Sequence, residues 1–355
     1  MTITGKLFAV VVVTAIAQST GLSARAANVS GAGSTFLSPV LAKWASAYKG
    51  EADFSINYQS VGSVTGIMLI KSNRVDFGAS DAPLKAEEVS AAQMIQFPIV
   101  VGGVVPVVNL RGIGPGQLKL TGPVLADIYL GKIANWNDKA IADLNPQLAL
   151  PDQAIVPVHR AADSGTRYLF SDYLAKVSPG WKRESLANNL VQVLGGIGAR
   201  GNELVAAFTA SRKGAIGYVE FAYAKQHNLA YVLMQNRDGA FVAPNNQSFS
   251  SAASHADWSK APGFETLLTD QPGMESWPIS GSTFVLVYKD QHRSEAAVAM
   301  FKFFDWIYRN GAAVAGDLDY SPIPPNVVQL VENRWVDIVM PSGRPLRFGG
   351  SAAPH

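Results

Sequence analysis

Short apolar runs rich in β-branched residues alternate with amphipathic helical stripes along the chain, and this alternation limits the fold more than any other feature. Strand patterns fall at FSINY (54–58), VDFGA (75–79), VVGGVVPVVNL (100–110), AIVPV (154–158), GAIGYVE (214–220) and TFVLVY (283–288). Phe36, Leu37, Val40, Leu41, Trp44 and Tyr48 recur at helical spacing in 36–48, as do Val298, Phe301, Phe304, Ile307 and Tyr308 in 297–309. The aromatic cluster Phe301, Phe303, Phe304, Trp306 and Tyr308 therefore reads as core. Strand regularly followed by helix predicts an α/β architecture with largely parallel sheets. No internal repeat or low-complexity tract interrupts the pattern, and only SAAPH at 351–355 reads as a loose tail.

The first 26 residues carry Lys6, an apolar run from Leu7 to Ala17 and the small-residue segment GLSARA, the pattern of a cleavable secretory signal with an Ala24-Arg25-Ala26 cleavage site. The run is too short for a spanning helix, and no later stretch is long and apolar enough for one. With no cysteine there is neither a lipobox thiol nor a disulfide framework, which predicts an exported protein of a bacterial periplasm. The roughly 329 residues left exceed the size at which one core usually stops growing, so two lobes are expected. Removing Lys6 and Arg25 leaves 27 basic and 27 acidic residues, without a basic stripe. A nucleic-acid partner is not expected, and any anionic ligand must be held by local geometry.

Three segments share one design. GAGSTFLSPVLAKW (31–44) sets glycines and Ser34-Thr35 before a helix with Pro39 in its first turn. NYQSVGSVTGIMLIKS (57–72) runs from a strand through a Gly-Ser turn to Ile67, Met68 and Ile70. HRAADSGTRYLF (159–170) leads from the AIVPV strand past Arg160 and Ser164-Gly165-Thr166 into a helix bearing Leu169, Phe170, Tyr173, Leu174 and Val177. Helix starts leave about four N–H groups without intrahelical partners and carry roughly half a positive charge. Glycine permits close backbone approach, and Ser or Thr adds a hydroxyl donor. One such turn is ordinary capping. Three of them, with Arg160 and with Asp81 at the end of the VDFGASD strand, point to a shared oxyanion site.

GAGSTF, GSVTG, VDFGASDAPL, QFPIVVGGVVPVVNL, DIYLGKIANWND, SGT after an arginine, GAIGYVEFAYAKQHNLAY and FKFFDW resemble, in order, the phosphate-binding protein of the bacterial ABC-type phosphate importer. The resemblance covers about 29–348. It implies a two-lobed, type II periplasmic binding protein, α/β with mixed, mainly parallel sheets, that closes over phosphate and delivers it to a membrane permease. Carried over by motif, the ligand-binding residues are Thr35, Phe36 through its backbone N–H, Ser63, Asp81, Arg160, Ser164, Gly165 and Thr166. The family's two hinge strands are expected near 100–108 and 278–286, which divides the chain into lobe I (27–104 and 281–355) and lobe II (105–280). Neither cofactor nor metal is implied, and the expected form is a monomer served by permease and ATPase subunits.

The chain departs from the family at two places. Where the family reads Arg-x-Asp-x-Ser-Gly-Thr, this chain has Ala162, with Asp163 one position later. In the family that carboxylate pairs with the arginine; here Asp163 either faces solvent, caps the helix, or replaces it through a rearranged loop. Val64 stands where a small or hydroxylated residue is usual, so Thr65 is the alternative hydroxyl. Asp163-Ser164-Gly165-Thr166 also matches the aspartic-protease signature, but the chain has no second Asp-(Ser/Thr)-Gly to supply the paired carboxylate. Gly-x-Ser-x-Gly, P-loop and His-Glu-x-x-His motifs are absent, and the five histidines show no metal-ligand spacing and read mostly as surface residues. His159, beside Arg160, is the one placed to tune the site near neutral pH. Within binding proteins the runner-up ligand is another tetrahedral oxyanion, sulfate or molybdate.

Overall fold

The computed structural model describes residues 27–48, 54–161, 164–187, 196–291 and 294–339. The signal-like leader, Ala162, Asp163 and the SAAPH tail lie outside them.

Twelve strands are described: β1 (Ala27–Gly33), β2 (Phe54–Ser60), β3 (Phe77–Ser80), β4 (Met94–Val108), β5 (Lys119–Leu120), β6 (Val156–Arg160), β7 (Ile197–Ala199), β8 (Ala215–Glu220), β9 (Ala230–Tyr231), β10 (Leu233–Gln235), β11 (Phe241–Val242) and β12 (Ser280–Tyr288). Nine form one sheet in the order β2-β1-β3-β12-β4-β8-β6-β7, with β9 also on β4, while β5, β10 and β11 form a small separate sheet. The two ends of the large sheet are parallel, β1 with β2 and β3, and β6 with β7 and β8. Its antiparallel pairs all involve β4 or β12.

β4 ties the two halves together. Residues 94–103 pair with β12, whereas 104–108 pair with β8. All fifteen of its residues are buried, as expected of a strand covered on both faces. The register slips between Thr283 and Phe284, opposite Val100 and Pro98. Such a bulge accommodates a proline, which has no N–H to give the ladder, and bends the strand. The polar intruder Gln96 is satisfied by the backbone of Leu84 and by the Gly263 carbonyl, at 2.8 to 3.2 Å.

Helices cover both faces. Ser38–Tyr48 turns Val40, Leu41, Trp44 and Tyr48 inward. Ser294–Asn310 buries Phe301, Phe303 and Phe304, and Phe304 packs edge-on against Phe77 and Phe97. Burying a large apolar side chain contributes about 1.5–3 kcal/mol, so this aromatic seam is a main support of the first half of the sheet. In the second half, Phe170 stacks on Tyr218 with ring centroids 3.9 Å apart. Among the described residues no helix is long and apolar enough to cross a membrane.

Candidate anion-binding site

The strand ends converge. β1 ends at Gly33, β3 at Ser80, β6 at Arg160 and β8 at Glu220, and the turns after them face one another beside the β4 crossing. A crevice outside the carboxyl ends of strands, where strand order reverses, is where open α/β sheets bind ligands. Helices Ser63–Lys71, Gly165–Val177 and Gly201–Ser211 start there too, so their unpaired N–H groups share one space.

From the first half come Ser34, Thr35, Phe36, Ser63 and Asp81. The Ser34 hydroxyl accepts from the Phe36 N–H at 3.0 Å and donates to Asp81 Oδ1 at 2.5 Å. Thr283, on β12, donates to the same oxygen at 2.7 Å. Among the described residues Asp81 Oδ2 receives only a distant Ser63 hydroxyl, at 3.5 Å, although the Asp81 N–H donates to that serine at 3.2 Å. One carboxylate oxygen thus takes two hydroxyl donors, and the other lies toward the helix start at Gly165. Burial pushes the Asp81 carboxyl up to about 6, against the opposing pull of Ser34, Thr283, Arg160 and Ser63.

The second half supplies Arg160, Ser164, Gly165 and Thr166. Arg160 is buried, its N–H donates to the Tyr218 hydroxyl at 3.1 Å, and its Nη1 donates to Thr166 Oγ1 at 2.9 Å. Its Nε finds no hydrogen-bond partner among the described residues. Burial lowers the guanidinium pKa from its ordinary value, while Tyr218, Asp81 and Glu203 oppose that shift. Ser164 is the N-cap of its helix, accepting from the Arg167 N–H at 3.1 Å. Gly165 lies against the other half. A Cβ there would sit 2.3 Å from Ser63 Oγ and 2.7 Å from Asp81 Oδ2, so only glycine lets the helix start come so close.

Hydrogen bonds and close approaches link Thr35, Phe36, Ser63, Asp81, Arg160, Gly165 and Thr166 across the two halves, and Ser164 adjoins Gly165. Several neighbours were not readable as site residues. Asn202 Nδ2 donates to Thr35 Oγ1 at 2.9 Å and reaches Thr166 Oγ1 at 3.5 Å. Tyr223 donates to the Thr35 carbonyl at 2.8 Å. Glu220 is buried and accepts from the Ala222 N–H at 3.0 Å, and burial pushes its carboxyl up to about 8. Asn202 and Tyr223 are far in sequence from the threonine they contact, and none of the three belongs to a Gly-Ser-Thr turn. His159, the histidine set apart as placed to tune the site, is buried, its Nδ1 lies 3.2 Å from the Arg160 carbonyl, and burial lowers its pKa. It occupies the strand position next to Arg160, so the two side chains leave opposite faces of β6. Val64 is exposed. Among the described residues no group of three or more His, Asp or Glu is placed to hold a metal ion.

A discontinuous α/β molecule with donor-lined helix starts from both halves around one carboxylate is a two-lobed solute-binding protein. The sequence profile of the PBP superfamily domain matches residues 18–310. The chain is 47% identical over 314 residues to the phosphate-binding protein PstS of Pasteurella multocida, covering 88% of this chain and 91% of that one. The chain belongs to the PstS phosphate-binding protein family, which are binding proteins and not enzymes. Solved structures agree on the fold. A high affinity periplasmic phosphate-binding protein bound with phosphate superposes with a TM-score of 0.69 at 19% identity, over 87% of this chain and 94% of that one. The phosphate binding protein of Stenotrophomonas maltophilia gives 0.63 at 18% identity, over the same shares.

Proposed function

We propose that the protein binds inorganic phosphate between its lobes, as the substrate-binding component of an ABC phosphate importer. Thr35, Phe36, Ser63, Asp81, Arg160, Ser164, Gly165 and Thr166 would hold the anion. Lobe I would comprise 27–104 and 281–355 and lobe II 105–280, with β4 and the approach to β12 as crossings. The leader fits export to the periplasm, where a monomer would meet the permease that, with its ATPase subunits, completes the importer.

Asp81 carries this reading. An ionised carboxylate accepts hydrogen bonds and donates none, so in a site meant for an anion it needs a ligand that still bears a proton. Phosphate near neutral pH has such a proton to give to Oδ2. Sulfate has none, and molybdate shares that deficit, so either would press two unshielded negative groups together in a desolvated crevice. Arg160 and the helix starts supply the attraction; Asp81 supplies the choice. Asp81→Asn, which adds a donor and removes the charge, should narrow the preference for phosphate over sulfate while the fold is kept. Calorimetry of both proteins with both anions tests it, and an unchanged ratio in Asp81→Asn would remove Asp81 from its role.

A further inference from the structure

We propose that Asn202 is a positioning residue of the site: its amide ties the two lobes together and turns the Thr35 and Thr166 hydroxyl protons toward the ligand. This rests on the phosphate site proposed above. Asn202 is fully buried near the start of helix Gly201–Ser211. Its Oδ1 accepts the backbone N–H of Glu220 at 3.2 Å. A backbone N–H can only donate, so the amide has one sensible orientation, with Nδ2 facing the two threonines.

The consequence concerns protons. Thr35 Oγ1 receives Nδ2 at 2.9 Å, so that oxygen acts as an acceptor and its own hydrogen is left to donate elsewhere. Thr166 Oγ1 receives Arg160 Nη1 at 2.9 Å and faces Asn202 Nδ2 at 3.5 Å. Both of these neighbours are pure donors, so the Thr166 hydrogen must likewise point away from them. Thr35 follows β1 and Thr166 lies in the first turn of helix Gly165–Val177, so one amide fixes a hydroxyl on each side of the crevice. The site then offers donors at these corners and keeps its acceptor at Asp81, which forces the anion to direct its proton there. A hydroxyl left to rotate could donate or accept and would not enforce that arrangement.

The test is calorimetric titration of inorganic phosphate into the full protein and its variants. Asn202→Ala should weaken binding about 3- to 10-fold, the scale of one net hydrogen bond, with the same ratio to wild type at every pH. Thr35→Val should weaken it too, and the double variant should lose less than the product of the two effects, since both remove one linked pair. That non-additivity is the readout a merely structural role would not move, and Asn202→Asp, nearly isosteric, adds a pH-dependent one. As a carboxylate it draws both hydroxyl protons away from the ligand; once protonated it again has a donor. Its binding relative to Asn202→Ala should therefore be worse at high pH and recover as pH falls. Glu220, Glu203, Tyr223, Arg160 and Asp81 surround the position in both variants and cancel from that comparison. Should Asn202→Ala not fold, the Asn202→Asp profile against wild type still decides. Wild-type binding in Asn202→Ala, full additivity with Thr35→Val, or a flat Asn202→Asp profile would each overturn the proposal. Failure of the wild type to bind phosphate would instead sink the functional reading beneath it.

Discussion

Asp81 is a carboxylate kept in a place that disfavours its charge. Burial raises its pKa to about 6, and the hydroxyls of Ser34 and Thr283 at 2.5 and 2.7 Å, with Arg160 nearby, stop the rise there. It therefore stays ionised at neutral pH but lies within reach of mild acid. As pH falls through about 6 the carboxyl takes up a proton, loses its acceptor on that oxygen and ceases to repel a fully ionised anion. The preference for phosphate over sulfate should accordingly be largest above neutrality and shrink toward about pH 5, whereas Asp81→Asn should show a ratio that does not respond to Asp81 titration. Competition titrations of the two anions across that range give the answer; a wild-type ratio independent of pH would count against the proposed proton acceptor. Thr35, Ser63 and Thr166 stand out in the sequence because each sits in a turn of glycine and hydroxyl residues before a helix. Thr283, Asn202 and Tyr218 do not, because the site reaches them only through packing: Thr283 is 202 positions from the aspartate it serves.

At the scale of elements, the close approach of two helix starts decides how tightly the lobes meet. Helix Gly165–Val177 begins at a glycine whose absent Cβ leaves room for Ser63 and Asp81 across the crevice. Gly165→Ala should set two effects against each other. The backbone there is helical, so alanine loses less chain entropy on folding and should stabilise the protein by about 0.4–1 kcal/mol. The added methyl would meet Ser63 Oγ at 2.3 Å, so the lobes should close less fully and phosphate should bind more weakly. A raised melting temperature with a weakened dissociation constant, and a smaller phosphate-induced compaction in small-angle scattering, is the expected combination; undiminished affinity would show that the methyl is accommodated. β2, β3, β4, β6, β8 and β12 were legible from periodicity, but β1 and the short strands β5, β7, β9, β10 and β11 were not. The β1 sequence, ANVSGAG, carries no run of β-branched residues; small residues are needed there beneath the Phe77 ring, which lies 2.1 Å from where a Gly31 Cβ would be. The antiparallel pairs of β4 and β12 were hidden for a similar reason, since an apolar run records burial and not direction.

For the whole molecule, attraction of an anion owes nothing to overall charge, because basic and acidic residues balance once the leader is set aside. On the proposed reading it comes from the buried Arg160, the starts of several helices and closure itself. Contacts from helix Phe221–Gln226 and from Asn246 back to the other half bind the two sides together: Tyr223 on the Thr35 carbonyl, Lys225 with Asp319, and Asn246 on the Tyr320 carbonyl. The ion pair is half-exposed and contributes little, so closure must draw its stability from the buried hydrogen bonds and from a ligand that satisfies both lobes at once. Burial pushes the Glu220 carboxyl up to about 8 and so disfavours a second negative charge there, which fits the proposal that Asp81 discriminates. The measurement that tests this account most directly is calorimetry of the phosphate-stripped protein near pH 7.5 against phosphate and against sulfate. The account predicts saturable binding of one phosphate per chain and no competing uptake of sulfate; equal affinity for the two anions, or no heat with phosphate, would contradict it.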